Sequence, residues 1–299
     1  MGSVSLADQH ATSLTQLRAG QDVDAVFACT RKDRLTTRNG SPYLALELRD
    51  RGGAVQARVF RDADLVGGRF ERGDLVRVRG RVERFRDDLV LELNDVASVS
   101  DGVDPAQFLP SAYRDLDELD GFLEHLVGEV YDRRYRMLLD ALLADRGLRE
   151  RWRRAPCTIN GHHAYLGGLL EHTVAVATLA QDLCQLHARL DADLLLSAAI
   201  VHDLGRTREF TYGASFGLTD EGRLLGHLTI GQQMLMERFE RAGIDAERRL
   251  ALLHCVSCHH GPGSARFGSV EAVALYRLNA LDAGVKTVID GGLAEASTR

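Results

Sequence analysis

Long apolar runs are missing from this sequence. No stretch approaches the ~18 consecutive apolar residues that a membrane-spanning helix needs, so we expect no membrane protein. Residues 1–17 have neither a basic start nor an apolar centre, so we expect no signal peptide. The five cysteines are an odd number, which does not suit a disulfide framework. These absences together predict a cytoplasmic protein with free thiols in a reducing compartment.

Lysine is almost absent too, and arginine supplies nearly all of the positive charge; the lysines are Lys32 and Lys286. We interpret this preference for arginine over lysine as a result of the base composition of the genome rather than as a requirement of the protein's mechanism. The formal net charge of −6 argues against a generally basic nucleic-acid binder, so any such binding must use a local patch. A chain of 299 residues, 45% of them hydrophobic, is long enough for about two domains with buried cores.

Apolar residues alternate with period two between about Val23 and Val99, as in strands with one buried face. The turn signals Asn39-Gly40, Arg51-Gly52-Gly53 and Arg86-Asp87-Asp88 separate the alternating segments. Five short strands over about 80 residues predict a small closed barrel.

Arginines follow one side of the fourth predicted strand, at Arg77, Arg79 and Arg81, because alternate residues of a strand point the same way. One interpretation is a solvated strand face. The other is a groove that follows the phosphates of a single nucleic-acid strand, with Tyr43 and Phe85 as stacking platforms. The segment from Asp22 to Asp95 holds 15 Lys or Arg against 14 Asp or Glu, so it is not basic overall, and both interpretations stay open.

Helical periodicity replaces the alternating pattern after a segment rich in glycine and proline. We therefore predict a barrel domain over residues 18–100, a linker over 101–112 and a helical domain over 113–299. The fold class is then a two-domain protein, with an all-β barrel followed by an all-α domain.

A histidine and an aspartate stand side by side at the end of an apolar helix, at His202-Asp203. Asp191 or Asp193 can cap the start of this helix, and Gly205 is expected in the left-handed position past its end. An imidazole beside a carboxylate suits divalent transition metals, so the pair is a candidate metal site. For the pair taken alone, a capped helix end is the plain alternative.

More polar residues occupy apolar helical positions, where a bare charge is costly to bury. Their order is His172, then His202-Asp203, then His227, His259-His260 and Asp282, each on a different predicted helix. A lone histidine on an apolar face, such as His172, is more often a satisfied core residue than a ligand. A shared metal centre is the economical explanation of the whole set.

Several short motifs stand out when the chain is taken as a whole. They are Asn39-Gly40-Ser41-Pro42-Tyr43, Gly161-His162-His163-Ala164-Tyr165, Gly168-Leu169-Leu170-Glu171-His172-Thr173, the segment from His202 to Glu209, the segment from Asp220 to His227, and Ser257-Cys258-His259-His260-Gly261. The helical part resembles the HD-domain metal-dependent phosphohydrolases. The chain from residue 22 to about 285 resembles the YhaM-type 3′→5′ exoribonuclease family, in which an OB-fold precedes an HD domain. The combination is specific, although no single motif is.

The resemblance implies a divalent metal centre, with two ions bridged by Asp203. The ligands it implies are His172, His202, Asp203 and Asp282 for one ion, and Asp203, His227 and His259 for the other. Manganese is the expected metal, with iron or cobalt as alternatives. Such a pair lowers the pKa of bound water and stabilises the oxygens of an in-line displacement, as phosphodiester hydrolysis requires.

The resemblance also implies catalytic roles beside Asp203. His163 and Arg206 would neutralise the scissile phosphate, and His260 would be a further ligand or a phosphate contact. Whether His260 or His254 is a ligand stays open. Arg206 is a departure, since HD proteins usually carry lysine there, and a planar fork replaces a point donor.

One motif competes with this interpretation, because Cys255-Val256-Ser257-Cys258-His259 matches the pattern for covalent haem attachment. Haem attachment requires export, which the sequence does not predict. Zinc would need a second ligand pair, and Cys29, Cys157 and Cys184 are scattered. We expect two small semi-buried cysteines beside a metal-ligating histidine.

The sequence thus predicts a cytoplasmic, metal-dependent 3′→5′ exoribonuclease that acts on single-stranded RNA, or on single-stranded DNA as the alternative. The expected RNA-binding residues are Tyr43, Arg77, Arg79 and Arg81, and a homo-oligomer is possible. One rival is an HD-domain hydrolase of nucleotides or cyclic dinucleotides. Another is a non-enzymatic binder of single strands whose helical domain keeps a structural metal.

Overall fold

The computed structural model describes residues 13–99, 103–263 and 266–291. Packing divides them into two units: the first runs to Pro110 and includes Tyr212–Phe216, and the second holds the remainder. Residues 101–102 of the predicted linker, and residues 292–299 of the predicted helical domain, lie outside the described residues. The predicted domain bounds stay a prediction.

Five strands of the first unit form a closed barrel in the order β1-β2-β3-β5-β4. The elements are β1 Asp22–Thr36, β2 Pro42–Asp50, β3 Gly53–Val59, the short helix α1 Ala63–Gly67, β4 Leu75–Phe85 and β5 Asp88–Ser98. Paired strands are antiparallel except β3 and β5, which run parallel. The predicted OB-fold barrel is confirmed.

The alternating apolar residues fill the barrel. Leu46 and Leu48 of β2 and Val76 and Val78 of β4 are fully buried, while the residues between them point outward. Burying one side of every strand fixes the pairing register, because a slip of one residue would turn each apolar side chain to solvent.

Part of the predicted linker packs with the barrel unit. A 3-10 turn, Pro105–Gln107, is followed by Phe108 and Leu109, both buried. Phe108 lies in one apolar cluster with Ala28 and Leu75. Residues 103–110 are therefore held against the barrel rather than extended in solvent.

Nine helices make up most of the second unit, as far as the structure describes it. They are α2 Leu116–Gly128, α3 Arg133–Ala144, α4 Arg146–Arg154, α5 Gly168–Leu186, α6 Ala192–Val201, α7 Arg206–Glu209, α8 Asp220–Ala242, α9 Ala246–Cys258 and α10 Val270–Gly291. A hairpin that the sequence did not predict, β6 Phe210–Tyr212 with β7 Phe216–Leu218, follows α7. Its strands are too short for an alternating pattern to show. Within the described ranges, no helix is both long and apolar enough to cross a bilayer.

The ends of α6 set the position of the histidine–aspartate pair. Asp191 caps the helix, since its Oδ1 accepts from the backbone N–H of Leu194 at 2.9 Å. The prediction for Gly205 is wrong: its φ is −62°, in the right-handed region. Glycine is needed there for close packing, because a Cβ would lie 2.0 Å from the carbonyl oxygen of His227.

Candidate metal centre

His172 lies on α5, in the middle of the second unit, with none of its surface exposed. The helix begins at Gly168, where a Cβ would lie 2.1 Å from the carbonyl oxygen of His163, so only glycine lets the preceding loop approach. Nε2 of His172 lies 3.1 Å from Nε2 of His202. The imidazole of His172 on α5 thus contacts the histidine at the end of α6.

Two histidines of the cluster have their tautomers fixed by the backbone. Nδ1 of His202 lies 2.8 Å from the carbonyl oxygen of Ala199, and Nδ1 of His259 lies 2.7 Å from that of Val256. Because a carbonyl only accepts, each Nδ1 carries the proton and donates it. Each Nε2 therefore keeps its lone pair, which is the form that binds a metal.

Asp203 lies between two pairs of histidines. Its Oδ2 is 3.6 Å from Nε2 of His202 and 3.8 Å from Nε2 of His172. Its Oδ1 is 3.3 Å from Nε2 of His227 and 3.3 Å from Nε2 of His259. One carboxylate thus presents a different oxygen to each pair, as a bridging ligand must.

A kink in α8 brings His227 to the cluster. Gly226 has φ 70° and ψ 161°, which breaks the helix just before His227. The backbone N–H of His227 then donates to Oε1 of Glu209 at 3.1 Å instead of continuing the helix. A glycine inside a helical pattern indicates only a less stable helix, so this bend was not predictable from the local pattern.

His260 joins the cluster on its exposed side, with its Nε2 3.0 Å from Nε2 of His227. Asp203, His227, His259 and His260 form one group whose ligand atoms all lie within 4.8 Å of one another. His254 lies elsewhere: its Nε2 accepts from the backbone N–H of Gly268 at 2.8 Å. Of the two histidines that the sequence left open, the structure places His260 in the cluster.

Asp282 of α10 contacts the other side of the His172 ring. Its Oδ2 lies 2.6 Å from Nδ1 of His172 and 2.9 Å from Nε2 of His163. In this arrangement Asp282 fixes the orientation of His172, and it is grouped with His163 and His172 rather than with His202 and Asp203. Its predicted role as a ligand of the first ion stays a prediction.

His163 is buried and uses both ring nitrogens. Its Nδ1 lies 2.9 Å from the hydroxyl oxygen of Tyr165, which in turn donates to Glu171 at 2.6 Å. Burial opposes a charge on this ring, but Asp282 and Glu171 outweigh it and raise the pKa of His163 above its usual value. The structure therefore places His163 as a donor to Asp282, which favours a positioning role over the predicted phosphate contact.

Arg206 lies behind Asp203 with only 8% of its surface exposed. Its Nε is 2.7 Å from Oδ2 of Asp203, and its Nη1 is 3.3 Å from Oε2 of Glu209. Burial works against ionisation of Asp203, but the charge of Arg206 beside it outweighs burial and holds the pKa of Asp203 well below its usual value. Arg206 thus supports the carboxylate, and its predicted phosphate contact stays a prediction.

The residues present fit a metal ion. Oδ1 of Asp203 and Nε2 of His259 are buried and make no hydrogen bond of good geometry within the described residues, although unpaired buried polar atoms are rare. Burial lowers the pKa of His202 well below its usual value, so this imidazole is neutral. Neutral imidazoles with an ionised carboxylate are the donor set of divalent transition metals. The cluster can therefore hold a metal.

Four residues near the cluster were not assigned a role from the sequence. Oδ1 of Asn279 lies 3.0 Å from Nε2 of His172, and Nδ2 of Asn279 donates to the carbonyl oxygen of His259. The thiol of Cys157 lies 3.6 Å from Oδ2 of Asp203. Glu209 contacts Arg206 and His227. His162 lines a cavity beside the cluster; the adjacent histidines of its motif offered no means to choose between it and His163.

The cysteines of the competing motif lie apart from the cluster's ligand atoms. Cys255 and Cys258 are buried on α9, and all cysteines of the described residues are free. The sulfur of Cys258 lies 3.8 Å from Nδ1 of His254. Neither cysteine belongs to a metal-competent group within the described ranges.

The predicted arginine face of the barrel is paired with acidic residues. Nε of Arg77 lies 2.7 Å and Nε of Arg79 3.1 Å from the carboxylate of Asp24 on β1. Nη1 of Arg81 lies 3.9 Å from Asp22. The three arginines share one outer face, and acidic residues lie beside them there; their predicted RNA-binding role stays a prediction.

Tyr43 belongs to a different part of the barrel. It lies opposite Leu35 in the β1–β2 pairing, whereas Arg77 lies opposite Val26 in the β1–β4 pairing. The structure therefore does not bring Tyr43 together with the predicted arginines.

Tyr43 lies near Phe85, with which the sequence grouped it as a stacking platform, and near Phe60 and Arg58, which the sequence did not group with it. Its ring stacks on Phe60 with centroids 5.4 Å apart, and it lines a shallow cavity with Arg58 and Phe85. The guanidinium of Arg58 lies 4.2 Å from the centre of the Phe85 ring. Tyr43, Arg58, Phe60 and Phe85, called the aromatic face below, combine stacking surfaces with a positive charge.

Comparison with known proteins agrees with both units. The family model of the HD domain matches residues 169–290, and that of the OB-fold nucleic acid binding domain matches residues 28–98. A protein of Bacillus subtilis (strain 168) is 29% identical over 272 residues, which cover 88% of this chain and 85% of that protein. One from Listeria innocua is 27% identical over 282 residues, covering 91% and 88%. Both relatives are named 3′-5′ exoribonuclease YhaM.

Among solved structures, the second OB-fold domain of replication protein A from Methanococcus maripaludis aligns with 31% of this chain and 99% of its own. The identity is 13% and the TM-score 0.26.

Proposed function

We propose that this chain, an HD-domain protein with an N-terminal OB-fold that resembles the YhaM exoribonucleases over most of its length, is a metal-dependent 3′→5′ exoribonuclease. The observation that carries the proposal is the position of Asp203, which presents one oxygen to His172 and His202 and the other to His227 and His259. Relatives of nearly the same length, named for this activity, support it.

Two divalent ions are proposed, with manganese first and iron or cobalt as alternatives. The proposed ligands are His172, His202, Asp203 and Asp282 for one ion, and Asp203, His227 and His259, joined by His260, for the other. When bound, such a pair lowers the pKa of water and stabilises the attacking and leaving oxygens of an in-line displacement.

Other residues of the protein would position the metal ligands and the scissile phosphate. Asp203 keeps its charge because Arg206 contacts it from behind. His163 holds Asp282 against His172. His260, on the exposed side of the cluster, and Arg206, which lines the adjoining cavity, are proposed to contact the scissile phosphate.

The barrel is proposed to hold the rest of the strand. The aromatic face offers rings on which bases stack and an arginine for the backbone, the combination used by proteins that bind single strands. Arg77, Arg79 and Arg81 add positive charge on another face, already shared with acidic residues. RNA is the proposed substrate, with single-stranded DNA as the alternative.

The cellular location and the oligomeric state are also proposed. The free thiols of the described cysteines fit a reducing compartment, hence the cytoplasm. A homo-oligomer is also proposed.

The experiment that tests the function is product analysis on 5′-labelled RNA. The exoribonuclease proposal expects a ladder that shortens one nucleotide at a time from the 3′ end, and no products after chelation. Release of phosphate from small nucleotides alone would favour the nucleotide-hydrolase rival. Binding without any cleavage would favour the non-enzymatic binder with a structural metal.

A further inference from the structure

A cavity of about 510 Å³ opens beside the metal cluster within the helical unit. Its walls include His259, His260 and Arg206 on the cluster side, and Tyr276 of α10 beyond them. The volume lies within the ~300–1,000 Å³ of sites that enclose one small ligand. The cavity therefore has room for a single nucleoside next to the proposed site of hydrolysis.

Small residues of α10 form one side of this cavity. Ala280, Ala283, Gly284 and Thr287 share a helix face, since residues three and four apart are neighbours on a helix. A Cβ built at Gly284 would meet no atom within 4 Å, and its φ is not in the left-handed region. Glycine is unfavourable inside a helix, and the backbone conformation does not require it here. The missing side chain of Gly284 therefore leaves open space in the cavity.

Tyr276 adds an aromatic surface to the same cavity. Its ring is half-buried and packs against Phe267, with centroids 5.6 Å apart and planes 34° apart. A ring held in place by a second ring, beside small side chains, is a surface on which a base can stack.

Polar groups line another part of the cavity. Asn160 and His162 both contribute to its wall. Nδ1 of His162 is buried and, within the described residues, has no hydrogen-bond partner. Since buried polar atoms are nearly always paired, this unpaired nitrogen is exceptional, and His162 and Asn160 together make this part of the wall polar.

We propose that this cavity seats the 3′-terminal nucleoside of the strand, with its base stacked on Tyr276 beside the small residues of α10. The inference rests on the proposed exonuclease function and deepens it, because a cavity for one nucleoside beside the metals selects the end of a strand. The helical unit would then recognise the terminal residue by itself, while the barrel holds the preceding strand.

Filling the cavity is the first test. Gly284→Leu should reduce the binding of adenosine 5′-monophosphate, measured by calorimetry, and the hydrolysis of a short RNA by at least about tenfold. Gly121→Leu is the matched control: Gly121 is also a helical glycine with nothing within 4 Å of a built Cβ, but it lies on α2 outside the cavity lining. The control should behave like the wild type, and circular dichroism should show both variants folded.

Removing the ring is the second test, and it does not depend on Gly284→Leu folding. Loss of base stacking weakens binding by roughly tenfold to a hundredfold, so Tyr276→Ala should raise KM by that amount on an oligonucleotide with a normal 3′ base. The effect should largely vanish on an oligonucleotide whose 3′ residue lacks a base. Tyr276→Phe should retain most of the wild-type KM.

The outcomes separate this inference from the function on which it rests. Stepwise hydrolysis that is unchanged in Gly284→Leu and Tyr276→Ala would overturn the nucleoside site and leave the exonuclease intact. A wild type that cleaves no RNA, yet binds the mononucleotide in a manner sensitive to both substitutions, would keep the site and overturn the exonuclease. An equal loss in Tyr276→Ala on strands with and without a terminal base would also overturn the stacking assignment.

Discussion

The metal cluster of the helical unit and the aromatic face of the barrel differ in how their polar groups are held. In the cluster, His172, His202, Asp203 and His259 are buried, and each contacts groups from distant parts of the chain. On the barrel, Phe60 and Phe85 expose 41% and 46% of their surface. Under the proposed function, hydrolysis would depend on a few buried groups in fixed positions, whereas strand binding would be divided among exposed groups that each contribute little.

The sharpest test of the cluster is Asp203→Asn. The amide keeps the shape but loses the charge shared between the two histidine pairs, so we expect hydrolysis to fall by roughly three orders of magnitude or more. Metal content should fall while helical content stays nearly intact. Asp140→Asn is the control, since Asp140 on α3 forms an exposed ion pair with Arg136, away from the cluster. Full activity of the Asp203 variant would remove the basis of the two-ion proposal.

The barrel is expected to give graded effects, and its two faces should differ. The double variant Arg58→Ala with Phe85→Ala should weaken binding of a long single strand by roughly tenfold to a hundredfold, because it removes a charge and a stacking ring. The triple variant Arg77→Ala, Arg79→Ala and Arg81→Ala should have a smaller effect, since Asp24 and Asp22 already lie beside these arginines.

Salt dependence and substrate length distinguish binding from folding on the barrel. The slope of log affinity against log salt should become shallower by about 0.7 for each phosphate that a variant no longer neutralises. A dinucleotide should be cleaved at nearly the wild-type rate by both barrel variants, because it reaches the cluster without spanning the barrel. A larger loss of affinity in the triple variant than in the double variant would indicate that the strand binds to the arginine side of β4 rather than to the aromatic face.

Acid should destabilise the cluster once the metal is removed. Burial lowers the pKa of His162 to about 3 and that of His202 well below its usual value. Below pH ~6.5 these two histidines therefore become protonated in the unfolded chain but stay neutral in the folded chain. His163 opposes this, since its pKa is raised and it stabilises the folded state at acidic pH. The net expectation is a fall of about 1.4 kcal/mol per pH unit per excess proton as the pH drops from 6.5 toward 4.

Urea unfolding of chelator-treated protein at pH 7, 6 and 5 measures this fall. His162→Gln removes one of three lowered pKa values, since burial also lowers the pKa of His202 and that of His260, and the variant should flatten the dependence. Below pH ~4 a further loss is expected, because Asp203 and Asp282 have pKa values held below the usual range. Stability that is level from pH 7 to 5 in the metal-free wild type would show that these histidines are not kept neutral by burial.

The smallest effect is expected at the cysteines of α9. Cys255→Ser with Cys258→Ser should retain metal and activity, because neither thiol belongs to the cluster within the described residues. A modest loss of stability is expected from placing hydroxyls at two buried positions. A haem absorbance in the native protein, or zinc lost from the double variant, would contradict this interpretation.

Residues governed by local pattern were predictable from the sequence. The alternation of Leu44, Leu46 and Leu48 indicated a strand with one buried side, and the cap at Asp191 indicated the start of α6. Both follow from interactions between near neighbours in the chain. The five strands of the barrel and the helices that carry the cluster were therefore predicted in type and order, whereas α4, α7 and the β6–β7 hairpin were not.

Features set by distant parts of the chain were not predictable in the same way. Gly205 is needed because His227, from another helix, packs against it, and the local cap rule placed it in the wrong region. The pairing of Arg77 with Asp24 depends on which strands meet. Likewise, the motif with His162 and His163 did not reveal that His163 turns toward Asp282 while His162 faces the cavity.

Counting metal ions tests the central proposal most directly. Elemental analysis of the full chain, purified without chelator and then equilibrated with manganese, should give two ions per chain for the wild type. The count should fall for Asp203→Asn and stay at two for Asp140→Asn. A wild type that binds no ion, or an Asp203→Asn variant that keeps two, would contradict a metal centre bridged by this carboxylate.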